Sequence, residues 1–456
     1  MTKRSRTLAA VVALGALTLA ACGGSEETTE TTSGETTETT TGDTTGDTTE
    51  TTEPAAEGWT VDTSLCVDEA AANAPIEGSI LIGSAMPLSN SPAAAAFAPV
   101  KDGFEAYIKY ANEQGLLPGV TIEVAVEDDQ YNAELTPAAV NKQIDAGAHI
   151  FSGIIGSPNN AAVRDTLNDN CIPQLAALTG SPAWGDVENY PWTTGQLAPY
   201  TVESKVYAKK IAELYPDGAN VALFHVNNEF GQVYVDAFEE IAGEYGITIV
   251  AEETIEATDA NPPTAQVNNI AAAKPDVIVS VPLGAQCISF LTEVANAKAA
   301  NAGWEPATFL TNTCASSLIL TLSGAAADGL YTSGNLIDVV DPANASLPGV
   351  SEYLAYMESL GKSDIVSTAT AGWTTAEVTV AILIQAANSP EGLTRASIIN
   401  AARNFTYTPT LGLPGVLFTM SGADDAFIAE SLVVRQYDAD AAVFTDIGDL
   451  ITEFES

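Results

Sequence analysis

Basic side chains are scarce in this chain of 456 residues. Lys and Arg together number 16 against 59 Asp and Glu, and the formal net charge is −43. Nucleic-acid binding needs clustered Lys and Arg to neutralise phosphates, and beyond Arg6 the sequence has no such cluster. The same deficit argues against a surface that holds anionic lipid by charge. The acidity by itself indicates solubility and salt tolerance rather than a particular function.

Histidine and enzyme signatures are scarce too. The only two histidines, His149 and His225, are far apart in sequence, which excludes a His-rich metal site. No Gly-x-Ser-x-Gly elbow, phosphate loop or strand-linked Gly-x-Gly-x-x-Gly motif occurs. Asp128 and Asp129 could do acid–base chemistry, but a solvated pair is the simpler interpretation in so acidic a chain. We therefore expect no enzyme, no cofactor and no metal.

The first 21 residues predict an export signal, because three basic residues precede a short apolar run that ends in small residues. That run is shorter than the roughly 20 apolar residues of a membrane-spanning helix. Residues 19–22 (LAAC), followed by two glycines, resemble a bacterial lipobox, in which Cys22 carries lipid. The alternative is an ordinary secretory signal with a chance cysteine. Residues 22–57 are rich in Thr and Glu and predict a disordered tether.

From residue 78 onward, short apolar strands alternate with helical patterns. At 98–114, for example, Val100, Phe104 and Ile108 share one helical face. Strands are expected at 80–83, 121–127, 149–155, 172–177, 220–226, 247–254, 276–281, 307–311, 415–419 and 429–436, and helices at 98–114, 134–146, 159–169, 230–245, 264–273, 286–300, 315–322, 349–360, 372–388 and 394–403. This spacing predicts βαβ units in two α/β sheets, with a ligand cleft between two lobes.

Four cysteines remain besides Cys22, and an even number in an exported protein indicates two disulfides. Three connectivities are possible. Cys287 and Cys314 follow consecutive predicted strands, so their loops should be neighbours. We predict the pairs Cys66–Cys171 and Cys287–Cys314. A zinc site is not expected, because no two of these cysteines are closely spaced.

Several short segments occur in an order typical of one family. They are 82–89 (IGSAMPLS), 103–106 (GFEA), 112–115 (NEQG), 153–157 (GIIGS), 172–173 (IP), 177–179 (ALT) and 227–231 (NNEFG). This order resembles the leucine/isoleucine/valine-binding group of ABC-importer receptors, which have the type I periplasmic-binding fold. The resemblance spans about 78–440.

The resemblance implies two Rossmann-like doubly wound lobes joined by a three-segment hinge, near 197–200, 332–335 and 408–411. After an N-terminal arm at 58–77, it places lobe 1 at 78–198 plus 334–409 and lobe 2 at 199–333 plus 410–456.

The resemblance also implies a ligand site. The positions of Ser157, Ala177 and Thr179 hold the ligand carboxylate in this family, and Phe230 takes the position of an aromatic side chain that covers the ligand. Free N–H groups at helix N-termini suit a carboxylate. The alternative is that Ser157 and Thr179 only cap helices and that Phe230 is a core residue. Three further positions that follow strands are expected at the cleft: Ser89, Gly284 and Thr313.

One feature departs from the family. Leu197 and Thr313 stand where amino-acid receptors have the carboxylates that hold the ligand ammonium. Burying an ammonium without an opposite charge costs several kcal/mol. Either another acid such as Glu229 or Asp129 substitutes, or the ligand is not an α-amino acid.

The implied function is that of a monomeric, lipid-anchored, extracytoplasmic receptor. It would capture a small polar solute, such as a branched-chain or other amino acid, an amide or an aromatic acid, and deliver it to an ABC permease. No nucleic-acid partner is expected. The alternatives are a receptor that senses its ligand without transport, an extracellular enzyme, and a structural lipoprotein without a ligand.

Overall fold

Residues 58–454 are described by a computed structural model of the chain. The expected signal peptide (1–21), the lipidation site Cys22 and the expected tether (22–57) lie outside the described residues. Among the helices between 58 and 454, none combines the length and the hydropathy that a membrane span requires.

Lobe 1 is built around a sheet of five parallel strands in the order β2-β1-β3-β4-β5, which is a common doubly wound order. The strands are β1 (Gly78–Met86), β2 (Val120–Asp128), β3 (Ile150–Ser152), β4 (Gln174–Ala177) and β5 (Thr193–Gly195). Every residue of β3, β4 and β5 is buried. Such strands are buried because crossover helices cover both faces of a parallel sheet.

Lobe 2 is built around a seven-stranded sheet in the order β14-β13-β10-β9-β8-β6-β7. Its strands are β6 (Ala219–Val226), β7 (Ile247–Ile255), β8 (Val277–Val281), β9 (Ala307–Leu310), β10 (Tyr331–Gly334), β13 (Leu432–Asp438) and β14 (Val443–Ile451). Strands β6 to β10 pair in parallel, whereas β13 and β14 add to one edge in antiparallel fashion. The remaining strands, β11 (Asn404–Tyr407) and β12 (Phe418–Ser421), pair only with each other.

The described α-helices connect and cover these sheets. They are α1 (Glu69–Asn73), α2 (Ala94–Gln114), α3 (Thr136–Asp145), α4 (Ser157–Asp169), α5 (Tyr200–Leu214), α6 (Glu229–Ile241), α7 (Thr264–Ala273), α8 (Ala285–Ala300), α9 (Ser317–Ser323), α10 (Pro348–Ser359), α11 (Val366–Ala387) and α12 (Arg395–Arg403). The predicted α/β class with two Rossmann-like lobes is confirmed.

Helices α2 and α11 cross at very short range through two glycines. A Cβ on Gly103 would overlap the carbonyl oxygen of Ala369, and a Cβ on Gly372 would overlap that of Val100. Only glycine leaves room for this approach. The crossing fixes the first turns of α11, which begins six residues before its predicted start at 372, beside the cleft between the lobes.

Several elements were not predicted from the sequence, chiefly α5 and strands β5, β10 and β14. Helix α5 does carry a helical pattern, since Val202, Val206 and Ile211 are buried and pack against the core of lobe 2. Strand β14 has no buried residue and occupies an outer edge, so it lacks the apolar alternation of a half-buried strand.

The chain passes between the sheets at three places. Residues 196–199 lead from β5 into α5, and segment 335–337 leads out of β10 and runs beside residues 411–413. There the Ile337 N–H bonds to the Leu411 carbonyl at 2.8 Å and the Leu413 N–H to the Asn335 carbonyl at 2.9 Å. Beyond 413 the chain forms β12, which pairs with β11, before it reaches β13. The lobe boundaries stay predictions. The pairing of β11 with β12 favours a third crossing between β12 and β13 rather than at the predicted 408–411.

Both predicted disulfides are confirmed, Cys66–Cys171 and Cys287–Cys314. The first joins the N-terminal arm to the turn before β4. The arm also bonds to α12 and its C-cap, through the Trp59 N–H to the Asn404 side chain at 2.9 Å and the Val61 N–H to the Asn400 side chain at 2.8 Å. The arm therefore belongs structurally to lobe 1.

Candidate functional site

A cavity of about 210 Å³ lies between the two lobes. It is large enough for a small organic molecule, because a single water needs only about 10–15 Å³ of such volume. Both lobes and two of the connecting segments, 196–199 and 335–337, contribute to its wall. The apolar part is formed by Ala96, Phe97, Val100, Tyr131, Ile155, Leu178, Leu197, Tyr200, Phe230, Leu283, Leu336, Ile337, Val339, Ala371 and Phe444, and the polar part by Asn312, Thr313, Ser316, Ser317, Ser333, Asn335, Asp338, Ser367, Thr368, Thr370 and Arg435.

The rim of the cleft is closed by contacts between the lobes. The Ala285 N–H at the start of α8 bonds to the Pro92 carbonyl at 2.9 Å. The Ser181 hydroxyl bonds to the Glu229 carboxylate at 2.9 Å. The lobes therefore meet at the rim, as in the closed form of a two-lobed protein.

The two hydroxyls expected to hold a carboxylate lie at one end of the cleft but do not line the cavity. Ser157 and Thr179 are buried, and their hydroxyl oxygens are 2.8 Å apart in a mutual hydrogen bond. Thr179 also accepts a bond from the Ser181 N–H at 3.0 Å. Ala177 ends β4, and its carbonyl accepts the Gln196 N–H at 2.9 Å. The structure brings these three residues together behind the cavity wall.

Tyr200 stands between those hydroxyls and the cavity. Its ring packs on Gly180, against Phe230 at a centroid distance of 5.2 Å and against Tyr234 at 4.8 Å. Burial raises the pKa of Tyr200 to about 12, although interactions with the Gly180 backbone and with the Thr179 and Ser157 side chains oppose the rise. The phenol therefore stays neutral and occupies the polar end of the cleft.

The other expected site residues divide into two groups. Phe230 and Thr313 line the cavity, as does Leu197. Ser89 bonds instead to the Asp128 carboxylate outside it. Gly284 lies at the rim, where a Cβ would overlap the Pro92 carbonyl oxygen, so its role is close approach between the lobes.

The acids considered as partners of a ligand ammonium are not in the cavity wall. Asp129 is fully buried and accepts bonds from Thr136 and Asn159, both at 2.9 Å. Glu229 accepts from Ser181 at the rim. The Asp129 carboxylate is therefore used within lobe 1, and the Glu229 carboxylate in a contact between the lobes.

Asp338 and Arg435 supply the charged groups that do line the cavity. Asp338 accepts backbone bonds from Val340 and Phe444. Burial raises the pKa of Asp338, while these bonds and the nearby Arg435 oppose the rise. Arg435 donates to Asp446 at 2.8 Å and to the Leu336 carbonyl at 2.6 Å. Each charge thus already has a partner within the protein.

Glu203 lies on helix α5, which was not predicted. It bonds to residues of the cavity wall but does not itself line the cavity. Its carboxylate accepts the Asn312 N–H at 2.9 Å and the hydroxyls of Ser333, Tyr207 and Tyr234. Desolvation nevertheless raises the pKa of Glu203 above its ordinary value. Because Asn312 and Ser333 line the cavity, this network fixes the position of its polar wall.

Between residues 58 and 454, no group of three or more His, Cys, Asp or Glu side chains is placed to hold a metal ion. The geometry of the site is that of a mostly apolar binding cavity between two lobes.

The model of a protein family described as periplasmic binding protein matches residues 79–442. The chain belongs to the periplasmic binding protein family. Its fold is that of the leucine/isoleucine/valine-binding group, as the sequence resemblance implied. A comparison with curated proteins gives no match.

Solved structures share this fold at low identity. One is a branched-chain amino acid ABC transporter protein from Thermus thermophilus with bound valine (TM-score 0.73, 19% identity, covering 83% of this chain and 97% of that one). Another is a fatty acid ABC transporter substrate-binding protein from Thermomonospora curvata (0.69, 18%, 83% and 95%). A third is an ABC transporter solute-binding protein from R. palustris in complex with 4-hydroxybenzoate (0.66, 18%, 82% and 97%). The fold therefore occurs with chemically different ligands.

Tyr200, Glu203 and the cavity-lining turn of α11 were not predicted from the sequence. The helical periodicity of 202–211 could have predicted the helix that contains Tyr200 and Glu203. The helical pattern is weaker in the first turn of α11, because polar residues such as Ser367, Thr368 and Thr370 interrupt the apolar periodicity.

Proposed function

We propose that this protein is a lipid-anchored extracytoplasmic receptor that captures a small organic solute between its lobes and delivers it to an ABC importer. The observation that carries this proposal is the cavity between the lobes, whose wall is shared by both lobes and by the connecting segments 196–199 and 335–337. A ligand that touches both lobes favours the closed form by its differential affinity. The solutes considered from the sequence are amino acids, amides and aromatic acids.

The same geometry supports a hinge mechanism. The chain crosses between the sheets at 196–199, at 335–337 and between β12 and β13, and the rim bonds Ala285–Pro92 and Ser181–Glu229 exist only when the lobes meet. Opening would break these bonds and expose the cavity. Closure around a solute would create a surface that a permease can distinguish from the open form.

The lipid anchor is proposed from the LAAC sequence that ends at Cys22. Such an anchor and a long acidic, Thr-rich segment would keep the receptor near its permease. Serine in place of Cys22 should release the protein from the membrane fraction into the medium, whereas Cys66→Ser should not.

The experiment that tests binding uses residues 58–456 purified from an exporting host. Small molecules extracted from the denatured protein are identified by mass spectrometry and added back to the refolded protein. A true ligand at 100 times its dissociation constant should stabilise the protein by about 2.7 kcal/mol. It should also reduce the radius of gyration measured by small-angle scattering. A broad solute panel that changes neither quantity would contradict the receptor function.

A further inference from the structure

We propose that Tyr200 determines ligand class by closing the Ser157–Thr179 end of the cleft, so that the cavity selects an apolar solute without an α-ammonium group. This inference rests on the proposed binding function and narrows its range of solutes. It excludes the amino acids among them.

The position of Tyr200 is fixed from several sides. It is the first residue of α5, its N–H bonds to the Gly180 carbonyl at 2.7 Å, and only 3% of it is exposed. A Cβ on Gly180 would lie 2.7 Å from the Tyr200 ring carbons, so the ring rests directly on the backbone of lobe 1. Phe230 and Tyr234 hold the ring from lobe 2.

This placement removes the best anion-binding groups from the cavity. The Ser157 and Thr179 hydroxyls bond to each other and interact with the phenol of Tyr200, and at most 1% of either residue is exposed. A ligand carboxylate could reach them only if Tyr200 moved. The cavity instead meets the aromatic ring of Tyr200 at this end.

An ammonium group would also lack a partner. Within the described residues, Asp338 is the acid that lines the cavity, and it accepts bonds from Val340 and Phe444 beside the Arg435 guanidinium. An ammonium placed there would face the positive charge of Arg435 and would displace existing donors. A desolvated cation without its own counter-charge is strongly disfavoured.

The rest of the wall favours an apolar body. Phe97, Val100, Leu178, Leu283 and Phe444 come from both lobes and enclose it from several directions. Contacts with these side chains are non-directional and depend on apolar area. The uncharged polar groups near the connecting segments, such as Asn312 and Thr368, can accommodate one polar end of the ligand.

Matched probes test the inference on wild-type residues 58–456 by calorimetric titration. Leucine is compared with 4-methylpentanoate and 4-methylpentanamide, and phenylalanine with 3-phenylpropanoate and 3-phenylpropanamide. Within each set the apolar body is the same, and only the ammonium and the acid function change. We expect the compounds without an ammonium to bind roughly tenfold or more tightly than the parent amino acid.

Variants at Tyr200 test its role directly. In Tyr200→Ala the Ser157 and Thr179 hydroxyls become accessible, so the preference for carboxylate over amide should rise by roughly tenfold. Tyr200→Phe keeps the ring in place, so it should change that preference much less than Tyr200→Ala does. Circular dichroism and the melting temperature verify that each variant is folded.

The outcomes separate the two proposals. Tight binding of an amino acid by wild-type protein would overturn the selectivity inference and leave the receptor function standing. An unchanged carboxylate preference in folded Tyr200→Ala would also overturn it. If none of the probes binds but an extracted solute without an α-ammonium does, the inference is supported. If no solute of any class binds, the receptor function itself fails.

Discussion

Glu203 shows how one buried carboxyl can organise a cavity that it does not touch. Its four donors come from α5, α6, the turn after β9 and strand β10. Removing the carboxyl oxygens would leave buried hydroxyls without acceptors, which costs about 1–3 kcal/mol per group. The conformation of Asn312 and Ser333 in the cavity wall therefore depends on a residue behind them.

The raised pKa of Glu203 gives a pH-dependent prediction. A carboxyl whose folded pKa is raised contributes stability below its unfolded pKa, and this stability is lost as pH rises through the folded pKa. Glu203→Gln should therefore destabilise the protein by about 1–3 kcal/mol near pH 4.5 and by less at pH 8. Melting temperatures across this range measure the difference.

The matched control for this prediction is Glu358→Gln, at an exposed position on α10. The melting temperature of this variant should change with pH in the same way as that of the wild type. If the difference in melting temperature between wild type and Glu203→Gln were the same from pH 4.5 to pH 8, the pKa of Glu203 would not differ between the folded and unfolded states.

At the scale of single residues, the sequence predicted part of the cavity wall. Phe230 and Thr313 line the cavity, because strand ends and helix starts of a parallel sheet meet at one edge. Ser157 and Thr179 do lie at the predicted edge of the lobe 1 sheet. Whether a ligand can reach their hydroxyls depends on Tyr200, which comes from a different segment of the chain. Their contacts with a ligand stay predictions. Spacing along the chain carries no information about such a side chain.

Helix α8 and the loop before α2 form the element-level contact that closes the rim. Gly284 precedes α8 with a φ of +52°, and the helix start meets the backbone of Pro92 and Ala93. The contact brings two backbones together with no side chain between them. The closed form therefore depends on the absence of a Cβ at position 284.

Gly284→Ala should weaken ligand binding by disfavouring closure. An added methyl that overlaps the Pro92 carbonyl oxygen forces the rim apart, so we expect a loss of roughly tenfold or more in affinity. The scattering-derived radius of gyration with ligand should stay close to that of the open form. Gly303→Ala is the control, because Gly303 also has a positive φ but no atom near its Cβ position. Equal affinity losses in the two variants would assign the effect to backbone strain alone.

Elements with strong apolar periodicity were predicted well. Helix α7 agrees at both ends with the expected 264–273, and β6 to β9 fall within one residue of the expected bounds. The edge strand β14 and the short strands β5 and β10 were missed, because their register is set by distant partners rather than by local pattern. The start of α11 depends on its glycine-mediated crossing with α2, which is likewise non-local.

On the scale of the whole molecule, charge is the dominant property. Residues 58–456 contain 49 acidic and 13 basic residues, a formal charge of −36. Salt bridges such as Lys101–Glu105 and Lys142–Glu127 engage only a minority of the acids.

The two-lobed α/β architecture was predictable because alternating patterns extend along the entire body, whereas relative lobe position depends on contacts between distant segments.

Self-repulsion should make stability depend on salt. The screening length falls from about 30 Å at 0.01 M to about 3 Å at 1 M, so added NaCl should raise the melting temperature. For a body of this size, a gain of about 1 kcal/mol corresponds to a rise of roughly 1 °C, because the entropy of unfolding grows with chain length. The triple variant Glu239→Gln, Glu240→Gln and Glu244→Gln neutralises exposed neighbouring acids and should show a smaller rise. A melting temperature that does not change with NaCl would contradict this account.

The attachment of the N-terminal arm has a mechanical consequence. A pulling force applied through residue 58 passes into α12 by way of Trp59 and Val61, and then through the Cys66–Cys171 bridge to the turn before β4. All of these points lie on lobe 1, so the hinge carries none of the load. In the proposed hinge motion lobe 2 would swing outside this path, so tension in the proposed membrane tether would do no work against closure.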